Sequence, residues 1–132
     1  MADESGPGGT SVADVVRLTF PGSLEYVRVA RMTASAVAAR LGFDIEEIED
    51  LRVAVDELAS AVIEAGDGRE LDITFSELGG RFVVEGRAAV VAEPQLDDLT
   101  RQILSVVVDE FDLATTDGVA EFRASKRPAP TE

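Results

Sequence analysis

Asp44-Ile-Glu-Glu47 has the spacing of a helix capping box, and the apolar positions after it, Ile48, Leu51, Val55, Leu58 and Val62, recur every three or four residues. This pattern predicts an amphipathic helix that stops near Ala65-Gly66, where a glycine suits the C-terminal turn. A helix apolar along one side must bury that side against a second layer, so the rest of the chain has to supply one.

The remaining segments read as follows. Val16, Leu18 and Phe20 alternate with Arg17 and Thr19, which argues for a half-buried strand within residues 12–20, ended by Pro21-Gly22. After Ser23, an N-cap type, Leu24, Val27, Ala30, Ala34, Val37 and Leu41 form one apolar stripe of a helix running to Gly42. Tyr26, Val29, Met32 and Ala36 lie beside that stripe with Arg28 and Arg31 interleaved; this second set either widens the buried side or meets another protein. Leu71, Ile73 and Phe75 alternate with polar residues, Gly79-Gly80 makes a turn, and Phe82-Val83-Val84 returns, predicting a hairpin over residues 70–88. Beyond Ala92-Glu-Pro94-Gln, a helix is expected from Leu96 to about Phe111 with Leu99, Ile103, Val106 and Val107 on one side. A last strand, Val119 to Ala124, follows the turn at Thr116-Asp-Gly118.

Strand, helix, helix, hairpin, helix, strand is the order of an α+β fold: a two-layer α/β sandwich with a mostly antiparallel sheet and helices on one face. Residues 1–11 are acidic and Gly-rich and read as a disordered leader; 126–132 read as a disordered tail, leaving 12–125 as a single domain. The absence of cysteine removes disulfides, and the absence of histidine removes Ser-His-Asp hydrolysis and His-based zinc sites. With 26 acidic and 12 basic side chains the formal charge is −14, which repels nucleic-acid backbones and anionic lipid. Such a surface suits a basic protein partner, and equally serves solubility. No apolar run approaches the roughly 18 residues of a membrane span, so no membrane or nucleic-acid partner is expected and the cytoplasm is the expected compartment.

Leu51-Arg-Val-Ala-Val-Asp-Glu57-Leu-Ala-Ser-Ala61-Val-Ile resembles the N-box helix of the GHKL (Bergerat-fold) ATPases, in particular of the bacterial anti-sigma-factor serine kinases. There the pattern is roughly hydrophobic-x-x-Glu-x-x-x-Asn-hydrophobic. The resemblance runs from about Val16 to Ala124, and its ending, Val108-Asp-Glu-Phe-Asp-Leu and then Gly118-Val-Ala-Glu-Phe-Arg, looks like the family's last helix and strand. It implies that Glu57 stands at the catalytic glutamate and Ala61 at the Mg²⁺-binding asparagine. Positions i and i+4 share one helix face, so a base and a metal ligand at that spacing converge on the same phosphates. Ala61 has no oxygen to offer, so no metal site is expected. Glu85 and Gly86 fall at the adenine-binding Asp-x-Gly-x-Gly motif, which they do not complete, and residues 95–105 lack the later Gly-x-Gly. On a helical wheel Glu57 also falls opposite Val55, Leu58 and Val62 and close to Asp50 and Glu64, which fits a solvated acidic face.

These departures imply a fold kept for its surface. The resemblance then implies an anti-sigma factor that sequesters a stress- or sporulation-type sigma factor and is released by a STAS-type anti-sigma antagonist, with ATP binding weak or lost. It also implies that Arg31, with Arg28 nearby, contacts the partner; the other reading of Arg31 is a surface arginine paired with Glu25 or Glu46. Under the alternative, an active serine kinase that phosphorylates the antagonist, Mg-ATP is the cofactor and Glu57 the base; otherwise no cofactor is expected. A ligand-sensing domain unrelated to sigma factors is a third reading. A homodimer is expected from the extra apolar surface of the first helix and an exposed sheet edge at residues 12–20.

Overall fold

The computed structural model describes residues 15–130. The expected leader, and residues 12–14 of the expected first strand, lie outside the described residues. Five strands, β1 (Val16–Phe20), β2 (Leu71–Leu78), β3 (Arg81–Ala89), β4 (Glu110–Thr116) and β5 (Val119–Lys126), form one sheet in the order β1-β2-β3-β5-β4. Every neighbouring pair is antiparallel. Three helices, α1 (Val27–Arg40), α2 (Ile45–Glu64) and α3 (Asp98–Val107), pack on one face, giving the α+β two-layer sandwich expected from the element order.

The period-two pattern explains the sheet's two faces. Leu71, Ile73 and Phe75 of β2, Phe82, Val84 and Ala88 of β3, and Ala120, Phe122 and Ala124 of β5 are buried under the helices. Arg17, Thr19, Asp72, Glu85, Arg87, Asp112, Glu121 and Arg123 line the opposite, open face. Cross-strand ion pairs Arg87–Glu121 and Arg123–Glu85 tie that face together. Both strand-to-strand turns place two consecutive residues in the left-handed region, Gly79-Gly80 and Asp117-Gly118, as two-residue hairpin loops require.

The helix layer rests on α2. Asp44 and Glu47 complete the expected capping box, each side chain accepting from the other's backbone N–H, and Leu51, Val55, Leu58 and Val62 are fully buried. In α1 the buried row is Val27, Ala30, Ala34 and Ala38, whose small side chains let the helix lie close along α2. Leu24 sits in a 3-10 turn, Leu24–Tyr26, ahead of α1 and is half exposed, so the apolar stripe starts later than its spacing suggested.

Two expectations are corrected. The helix predicted to reach Phe111 ends at Val107, and residues 110–116 form β4, an edge strand paired with β5. Phe111, Leu113 and Thr115 point inward and alternate with exposed Asp112, Ala114 and Thr116, a strand period that outweighs helix spacing once β5 offers hydrogen bonds. The buried residues of α3 are Leu104 and Val107, while Leu99 and Val106 are 66% and 80% exposed. At the C-terminus β5 runs through Lys126, whose ammonium donates to the Val107 carbonyl at the end of α3. The backbone N–H groups of Arg127 and Ala129 donate to Asp109 and Glu47.

Candidate functional site

Glu57 lies two-thirds of the way along α2, half-buried, with Ala61 one turn further on and almost wholly buried. Burial is the main reason its carboxyl is held above the ordinary value of 4.5; the negative charges of Asp56, Asp97 and Glu64 add to the effect. Asp97 reaches this neighbourhood as the N-cap of α3, where its carboxylate accepts from the Thr100 backbone N–H at 2.8 Å. That hydrogen bond, followed by one from the Thr100 side chain, pulls the Asp97 carboxyl below its ordinary range. The acidic surroundings of Glu57 therefore come from two helices, one of which the spacing along α2 does not reveal. The sequence does carry a signal for Asp97: an acid three residues ahead of a threonine, opening a helix.

Glu85 and Gly86 are inside β3, paired with Thr74 and Ile73 of β2 and with Arg123 and Phe122 of β5. Glu85 is exposed on the open face of the sheet, 3.4 Å from Arg123, whereas Glu57 is on the helix side, so the structure does not bring these two together. Gly86 faces the core with the Phe122 ring lying over it, and a Cβ at this position would overlap that ring. The chain leaves β3 with Val90 bonded to Gly118, and the N–H groups of Val91 and Ala92 both donate to the Ala65 carbonyl at the C-cap of α2. Pro94 is buried. The connection from β3 to α3 is thus fastened against the end of the Glu57 helix.

Arg31 lies on the seam between α1 and α2, and its guanidinium Nη1 is 3.2 Å from Asp56 Oδ1. The pairing is with α2, not with Glu25 or Glu46. Arg28, one turn earlier, is exposed. Tyr26, Val29 and Met32, the second apolar set of α1, are 37%, 39% and 67% exposed, so they do not widen the buried side. An apolar groove runs between this surface and the edge strand β1, lined by Val16, Val29, Met32, Ala36, Val37 and Leu41 among others.

An antiparallel sheet under three helices, with a half-buried glutamate on the central helix, is a two-layer α+β scaffold, and residues 20–109 match the histidine kinase-like ATPase domain family. The chain belongs to that family. Its relatives include the serine-protein kinase RsbW of Bacillus licheniformis, 32% identical over 91 residues, covering 68% of this chain and 55% of the relative. RsbW of Bacillus subtilis is 40% identical over 86 residues, covering 64% and 52%. The resemblance to the anti-sigma-factor serine kinases is thereby established, and the chain spans about half the length of the curated relatives it matches. The crystal structure of the RsbU and RsbW domains of Rv1364c from Mycobacterium tuberculosis has the same fold, with a TM-score of 0.70 over 86% of this chain and 32% of that one, at 15% identity. No described helix is long and apolar enough to cross a membrane.

Proposed function

We propose that this chain is an anti-sigma-factor-like regulatory module that binds and sequesters an alternative, stress- or sporulation-type sigma factor in the cytoplasm. A STAS-type anti-sigma antagonist releases it, and ATP binding is weak or lost. The observation that carries the reading is the buried Ala61 one helical turn beyond Glu57. A methyl group there gives Mg²⁺ nothing to bind, and the phosphates lose the ligand that would hold the ion over Glu57.

The rest of the pocket argues the same way. Glu85 points away from α2, Gly86 is covered by Phe122, and the β3–α3 connection is bonded to the C-cap of α2. These residues do not fit Mg-ATP held in the manner the resemblance implies, so no phosphoryl-transfer step is assigned to Glu57. Protein contact is the function left to the exposed side of α1 that Arg28 and Arg31 share, next to the groove lined by Val29 and Met32. Arginines at a partly apolar surface combine bidentate carboxylate pairing with stem packing, the profile of an interface anchor. The groove beside β1 supports a homodimer.

Calorimetric titration with Mg-ATP tests the first half. Silence at millimolar nucleotide is the expected result; tight binding would favour the kinase that phosphorylates the antagonist. Binding of purified alternative sigma factors to the wild type and to Arg31→Glu tests the second half. The substitution should weaken capture at least tenfold, as expected for a charge reversal at an anchor, and unchanged affinity would move the interface elsewhere.

A further inference from the structure

Arg31 is already occupied. Its guanidinium meets Asp56 across the α1–α2 seam, and Asp56 is the residue next to Glu57 on the central helix. The two side chains keep 33% and 42% of their surface exposed, so the pair sits at the rim of the seam, within reach of an incoming chain. The contact is a single one, Nη1 to Oδ1 at 3.2 Å, longer than the 2.7–2.9 Å of a strong charge-assisted pair. The same Oδ1 also lies 3.5 Å from the Ser60 hydroxyl. Arg28, on the same side of α1, is exposed.

Resting on the proposed function, we infer that Asp56 is an internal competitor for Arg31: it holds the guanidinium against α2 in the free protein, so that an acidic residue of the partner binds by exchanging with it. The physical grounds are charge and strength. A second carboxylate approaching Arg31 meets the full negative charge of Asp56, in a neighbourhood where Asp56, Asp97 and Glu64 already add to the cost of ionising Glu57. The existing pair is half-exposed and singly bonded, so it is weak enough to give way. Asp56 thereby sets how tightly a partner is held without touching it, and it joins the partner face of α1 to the helix that carries Glu57. Asp56 is a positioning residue in this scheme. Arg31 is the contact.

Two measurements separate this inference from the reading beneath it. The first needs no partner: phenylglyoxal modification followed by peptide mass spectrometry gives the rate at Arg31, with Arg28 as internal reference. Asp56→Asn keeps the side-chain shape and removes the charge. It should speed modification of Arg31 severalfold while Arg28 is unchanged, and equal Arg31 rates in the two proteins would overturn the inference. The second is affinity for a sigma factor that the wild type captures. Asp56→Asn should bind roughly two- to fivefold more tightly, the scale of one half-exposed ion pair, and the gain should vanish when Arg31→Gln is added. Weaker or equal binding by Asp56→Asn, or a gain that survives Arg31→Gln, overturns the competitor role. If neither protein captures any sigma factor, the proposed function falls, and the modification rates alone decide whether Asp56 occupies Arg31.

Discussion

Glu57 on the central helix and Asp97 at the start of α3 are displaced in opposite directions, and this gives each a distinct signature in pH. Glu57 is shifted upward from 4.5, first by burial and then by Asp56, Asp97 and Glu64. In that window the folded chain binds more protons than the unfolded one, so stability is greatest below the ordinary glutamate value and is lost as pH rises through the raised one. Glu57→Gln should remove this loss. At neutral pH the variant should be the more stable by less than about 0.5 kcal/mol, since solvent screens a side chain this exposed, and the gap should close near pH 4; urea midpoints across pH 4–8 measure it. Asp97, shifted downward by its bonds from Thr100, works in the other sense: its contribution is present above the ordinary aspartate range and fades as pH falls through the lowered value. Gly86 makes a second test at this scale. Alanine there forces the buried Phe122 ring aside, and overfilling a packed core costs about 1–3 kcal/mol. Gly86→Ala should therefore lower the unfolding midpoint, and adding Phe122→Leu should recover part of the loss; an unaffected midpoint in the single variant would mean that the ring yields freely.

At the level of elements, α3 and β4 carry the sharpest test because their boundary ran against the spacing in the sequence. Leu104→Ala should cost about 2–5 kcal/mol as a fully buried leucine, while Leu99→Ala and Val106→Ala should change little. Denaturant unfolding of the three variants would distinguish this face from the Leu99–Ile103–Val106 face, and a large loss at Leu99 would put the buried side of α3 on that second face. Capping and periodicity made α2 legible without coordinates, since Asp44 and Glu47 act locally and the apolar stripe is long. The hairpin of β2 and β3 was legible for the same reason, with Gly79-Gly80 between two alternating runs. The α3–β4 junction was not, because Val106-Val107-Val108 and Phe111 satisfy helical spacing and strand propensity together, and the choice depends on hydrogen bonds that β5 offers from further along the chain. The site divided along similar lines. Glu57 and Ala61 were readable from one helix, whereas the Asp56 partner of Arg31 and the approach of Asp97 needed two helices to be placed side by side.

Taken as a whole, the molecule combines a charge of −14 with an open apolar groove, and these oppose each other in self-association. Like charge keeps copies apart, but only over the Debye length, about 8 Å at physiological salt. The groove lies where β1, a sheet edge, meets the exposed side of α1, so two copies related by a twofold axis would cover Val16, Val29 and Met32 and pair or shield the edge together. Sedimentation equilibrium should give twice the 14.0 kDa chain mass at physiological salt and a shift toward the single chain as salt is removed. Met32→Lys should leave the chain monomeric at all salt concentrations, with the unfolding midpoint of the dissociated wild type, because this side chain is 67% exposed in the single copy and contributes little to its core. A wild type that sediments at the mass of one chain across the series would free the groove for a different protein, and a Met32→Lys dimer would place the twofold contact away from α1.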